Sequence, residues 1–103
     1  MRNDATGPVE IFEESPGRLG ARGPLTFATA RKARQEGLRL LAAVGGKDVE
    51  FDCSGVTASD SAGLTVLLDL LGNAKRQGKT LKFTHVPPQI CAVAKISEVQ
   101  DLL

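Results

Sequence analysis

Along this chain, stretches in which apolar and polar residues alternate exchange places with stretches in which apolar residues recur at helical spacing. Val9 and Ile11 alternate with Glu10 until Phe12 interrupts the pattern, so VEIFEE is predicted to be a short strand. Ser15, Pro16 and Gly17 follow as a turn, and Arg18 to Arg22 return as a second strand ended by Gly23 and Pro24. From Thr26 to Val44 the residues Ala30, Ala33, Gly37, Leu40, Leu41 and Val44 share one helical face, with Arg31, Lys32, Arg34, Gln35 and Arg39 opposite. Gly45 and Gly46 stop this helix.

Val49, Phe51 and Cys53 alternate with Glu50 and Asp52, which predicts a half-buried strand over Asp48 to Cys53. The tract SGVTASD reads as a loop, and Ser61 to Gln77 then carries Leu64, Leu67, Leu68, Leu71 and Ala74 at helical spacing up to Gly78. Lys79 to Val86 alternates again, and Pro87 with Pro88 opens a last helix whose inner face is Ile90, Val93 and Ala94. Val99, Leu102 and Leu103 are expected to pin the C-terminus onto the body. Residues 1–8 have no apolar period and read as a flexible tail, leaving 9–103 as the domain. Alternating strands and helices predict an α/β class with a small mixed sheet flanked by helices.

A length of 103 residues allows one domain, and 42% hydrophobic with 24% charged residues is ordinary globular composition. A net charge of +1 supplies no field to gather nucleic acid or anionic lipid, and four Phe without Trp or Tyr offer no stacking platform. Cys53 and Cys91 each lie in an apolar run and are read as reduced, buried thiols. No apolar run matches a signal peptide or a membrane span, so a cytoplasmic location is expected, with any membrane association made through a partner.

The tract Val56 to Leu64, VTASDSAGL, joins strand to helix through residues suited to local polar bonding. Asp60 and Ser61 stand where side chains cap a helix, and capping alone explains them. The same position has a second reading. A phosphate on Ser61 would face the positive end of the helix dipole while Asp60 repelled it, so the modified and unmodified tips would differ to a partner. The sole histidine, His85, is read as a structural residue within its strand, and neither a metal-ligand cluster nor a phosphate loop is present, so no catalytic residue, metal or cofactor is assigned.

The run DCSGVTASDSAGLTVLLDLLGNAKRQGKTLKFTHVPPQICAVAK resembles the core of a STAS domain, with the tract D-S-A-G-L opening a helix and GPLTF at residues 23–27 similar to the family's first strand-to-helix passage. The ending VPPQICAVAKISEVQDLL is similar to that of MlaB-type members, departing from it at Ile96 and Ser97, where Leu and Tyr are usual. That resemblance implies a non-enzymatic subunit that binds the cytoplasmic ATPase of a phospholipid-transporting ABC system. The alternative branch implies an anti-sigma-factor antagonist whose Ser61 is phosphorylated by a partner kinase. Either way it implies a partner interface at Ser61 with Asp60, Ala62, Gly63 and Thr65, where Gly63 would admit a partner's backbone; the helix face of Thr65, Asp69, Asn73 and Arg76 reads either as an extension of that contact or as a solvated face.

Overall fold

The computed structural model describes residues 7–96, and the side chains of 7–94. In chain order these form β1 (Glu10–Ser15), β2 (Arg18–Leu25), α1 (Ala30–Ala43), β3 (Asp48–Ser59), α2 (Ser61–Arg76), β4 (Thr80–Thr84) and α3 (Pro88–Ile96). The sheet order is β1-β2-β3-β4. β1 and β2 form an antiparallel hairpin, whereas β2 with β3 and β3 with β4 are parallel. Each parallel step needs a helical crossover, which α1 and α2 supply. The two helices also touch, because Gly37 presents no side chain and a Cβ there would lie 2.9 Å from Leu70 Cδ2.

The core follows the apolar periods. Val49, Phe51 and Cys53 of β3 are buried with Leu19 and Ala21 of β2 and Leu81 and Phe83 of β4. Ala33 and Leu41 of α1, and Leu64, Leu67, Leu70 and Ala74 of α2, close over them. The rings of Phe51 and Phe83 meet edge to face at 5.7 Å, a favoured aromatic geometry. Arg31, Lys32, Arg34, Gln35 and Arg39 are exposed, so the basic side of α1 is a solvated face.

Two strands run past their expected ends. β2 continues through Gly23 and Pro24 to Leu25. β1 first pairs at Glu10 with Arg22, so beyond that point β2 has no strand on this flank to need the amide hydrogen that proline lacks. Gly23 itself has φ 92°, which only glycine adopts without strain, and the Pro8 carbonyl packs against it. Pro8 thus lies beside β2; residues 1–6 of the expected tail lie outside the described residues. Similarly, SGVTAS is not a loop but the second half of the 12-residue β3. Its register slips between Asp52 and Gly55, and Gly55 permits the close strand approach, since a Cβ there would lie 2.7 Å from the Ala21 carbonyl oxygen. Val99, Leu102 and Leu103 lie outside the described residues.

The cysteines differ from one another. Cys53 is buried at 1% exposure, and burial, reinforced by the charge of Asp52, pushes its thiol up to about 12. Cys91, expected to be buried, is exposed on α3, because Ile90 and Ala94 form that helix's inner face and Cys91 is turned away. A thiol reagent is expected to modify Cys91 in the native protein and Cys53 only after denaturant is added, which intact-mass measurement of the adducts checks.

Candidate functional site

The parallel strands β2 and β3 end side by side, with Leu25 paired to Ser59, and each passes directly into a turn that starts a helix. The turn Thr26–Thr29 and the tip of α2 are thereby brought together at the carboxyl edge of the sheet. Asp60 links them. It is the N-cap of α2, in extended conformation, and its Oδ1 accepts from the Ala62 N–H at 2.9 Å. Its Oδ2 accepts from the Phe27 N–H at 3.1 Å, across 33 residues of sequence.

The neighbouring turn is braced from its other side by Thr29. That hydroxyl donates to the Pro24 carbonyl at 2.8 Å and accepts from the Thr26 N–H at 3.0 Å. Thr29 occupies the N-cap position of α1 yet makes no side-chain cap, because its oxygen serves the turn instead. Such a departure from ordinary capping is expected where local geometry is fixed for another purpose.

Ser61 is the first residue of α2 and not its cap. It is exposed, and its hydroxyl makes no hydrogen bond among the described residues; only its carbonyl is engaged, accepting from Thr65 Oγ1 at 3.3 Å. The expected cradle for a phosphate is partly filled. The Ala62 N–H donates to Asp60 Oδ1 and the Gly63 N–H to the Asp60 carbonyl. A phosphate on Ser61 would therefore project outward rather than be sequestered by the helix end.

Gly63 is not at the surface. It is buried, and a Cβ there would lie 2.7 Å from the Leu25 carbonyl oxygen and 3.2 Å from Ile90 Cδ1. The backbone it admits is this chain's own β2, which corrects the expectation that a partner would approach it. Asp69 is likewise engaged within the chain, its Oδ2 accepting from Arg34 Nε at 3.1 Å between α2 and α1. Asn73 caps back onto the Asp69 carbonyl at 3.0 Å, while Thr65 and Arg76 are exposed and Ala62 is half-buried. Of the six expected site residues, Asp60, Ser61, Ala62 and Thr65 lie at the tip, Gly63 is sealed beneath it, and Asp69 lies two turns along α2 with its carboxylate accessible beside Arg34.

The residue that the sequence reading missed is Phe27, the large hydrophobic side chain that stands 85% exposed beside this tip. GPLTF marks the passage, but nothing in its spacing distinguishes an outward Phe from a core one.

His85 is also differently placed. It follows β4 in the left-handed region at φ 54°, with an exposed ring whose Nδ1 lies 3.1 Å from Asp52 Oδ1. Asp52 also accepts from the Ser54 N–H at 2.9 Å and the Ser54 hydroxyl at 3.1 Å, and the backbone bond above all holds its carboxyl below the usual range. Among the described residues no group of three or more His, Cys, Asp or Glu side chains could hold a metal ion.

Known proteins share this architecture. Phosphorylated SpoIIAA, a Bacillus cell fate determinant, superposes with a TM-score of 0.66 at 11% identity, over 91% of this chain and 86% of that one. The unphosphorylated form of SpoIIAA, described as an anti-sigma factor antagonist, gives 0.63 at 10% identity, over 85% and 82%. Part of the murine anion transporter SLC26A9 gives 0.55 at 24% identity, over 84% of this chain and 14% of that one. No curated protein sequence matches. A family model described as "Mlab, STAS domain" matches residues 11–103. Because that match runs through every element from the start of β1 onward, the chain belongs to the STAS-domain family, in the branch that this description denotes.

Proposed function

We propose that this protein is a non-enzymatic accessory subunit that docks, through the tip of α2 at Ser61, onto the cytoplasmic ATPase of an ABC system moving phospholipid. The observation that carries this reading is the match to the Mlab family model over residues 11–103. The geometry supports a docking role. Ser61 and Thr65 are exposed on a tip whose backbone is braced by Asp60, so a partner meets a preformed surface. Catalysis finds less support, since among the described residues no base contacts the Ser61 hydroxyl. No helix among the described residues is long and apolar enough to cross a membrane, so the reading brings the protein to the inner membrane through its partner.

A second reading, an anti-sigma-factor antagonist switched by phosphorylation of Ser61, is favoured by one observation. The hydroxyl is exposed and the Ala62 and Gly63 N–H groups already have acceptors, so an added phosphate would confront the partner directly. The shared fold with SpoIIAA, solved in both forms, fits this reading too.

Affinity purification from the native cell, followed by binding measurements with the purified partner, separates the two. Recovery of an ABC ATPase supports the first reading, and recovery of an anti-sigma kinase without any ATPase moves the assignment to the second. Ser61→Asp is expected to weaken binding at least about tenfold, by placing a buried or crowded charge at the contact, while Ser61→Ala stays near wild type. Equal binding by both variants would remove Ser61 from the interface.

A further inference from the structure

We propose that Phe27 is the anchor of the docking surface, and that the partner protein receives it in an apolar pocket bordered by carboxylates. This rests on the reading that the α2 tip is the docking site, and it names the chemistry that site selects. A ring 85% exposed to water stands apart from the other large apolar side chains described, which are buried or half-buried. Here the backbone that carries it is fixed. The Phe27 N–H is bonded to Asp60, and the turn around it is closed by the Thr29 N–H donating to the Thr26 carbonyl at 3.0 Å and by the Thr29 hydroxyl. An aromatic side chain with two rotatable bonds on a braced turn loses little entropy on binding, which is a property of interface residues that dominate affinity.

Charge identifies the pocket. Arg31 and Lys32, in the first turn of α1 just after Phe27, are exposed and make no ion pair among the described residues. Of the acidic groups nearby, Asp69 is paired with Arg34 and Glu36 with Arg39, which leaves the carboxylate of Asp60 as the one negative charge set against the two cations. Neither helix has an acidic residue in its first turn. Arg31 and Lys32 against Asp60 leave the surface around the ring with a net positive charge, and complementary potentials favour a carboxylate rim on the partner. A phosphate on Ser61, on the same face, would repel that rim, so a single pocket chemistry accounts for both the grip and its release. An anionic bilayer fits less well, because one ring and two cations are a weak membrane anchor.

The test uses the purified partner identified through the Ser61 experiment. Phe27→Ala is expected to raise Kd by about 30-fold or more, with the melting temperature unchanged because the ring touches no core. Arg31→Ser combined with Lys32→Ser is expected to slow association and flatten its salt dependence. A benzoylphenylalanine placed at position 27 keeps the aromatic projection and is expected to cross-link to a partner segment containing Asp or Glu. Wild-type affinity for Phe27→Ala, while Ser61→Asp still abolishes binding, would overturn the anchor and leave the docking tip intact. Indifference to both substitutions would remove the tip itself. A cross-link lying among basic residues, or binding of the free protein to phosphatidylglycerol vesicles that Phe27→Ala eliminates, would overturn the assigned pocket.

Discussion

Gly63→Val is expected to lower the stability of the domain by about 3 kcal/mol and, for that reason alone, to impair docking. The first added carbon would lie 2.7 Å from the Leu25 carbonyl oxygen, a backbone atom at the end of β2 that cannot rotate away, and 3.2 Å from Ile90 Cδ1 in α3. Relief requires α2 to lift from β2, which breaks the alignment of Asp60 with the Phe27 N–H. An alanine at an ordinary helical position would gain about 1 kcal/mol over glycine, so a loss on Gly63→Ala as well would show that the clash outweighs propensity. Thermal unfolding followed by circular dichroism checks this, with a drop of roughly 12 to 24 °C expected for the valine variant of a domain this size. The contrast with Ser61→Asp matters: that variant should lose partner binding at unchanged stability, whereas Gly63→Val should lose both. A fully stable Gly63→Val protein would return Gly63 to the surface role that the sequence suggested.

Phe51→Ala should have the larger effect, about 3–5 kcal/mol, comparable with the whole stability of many small domains. Phe51 is 1% exposed at the centre of β3 and meets Phe83 edge to face, so its removal empties the place where β3, β4 and the helices converge. In urea titration the variant is expected either to unfold at much lower denaturant or to show no cooperative transition at all. A midpoint within experimental error of wild type would mean that the core is not organised around this ring pair.

Much of this could be read from the chain. Alternation placed Val49, Phe51 and Cys53 in the core, and helical spacing placed Leu64, Leu67 and Ala74 there, because burial of one face imposes a period that is local in sequence. The α2 start was legible because Asp60 can cap only the residues that follow it. Other features were not. The extension of β3 through SGVTAS depends on β2 beside it, and small polar residues carry no period of their own. Cys91 and Phe27 lie in apolar stretches that resemble core, and their exposure is set by how α3 and the turn before α1 are oriented.

The sequence alone determined the order of elements, the apolar faces that pack, the STAS-type pattern and the presence of a hydroxyl at a capped helix start, since each depends on interactions between residues a few positions apart. Tertiary structure decided what that helix start is joined to. Pairing of Leu25 with Ser59 sets two turns side by side, directs Asp60 onto Phe27, turns Gly63 inward against β2 and leaves Ser61 and the Phe27 ring facing solvent. Contacts across more than thirty residues depend on strand register and helix orientation, which no local period encodes.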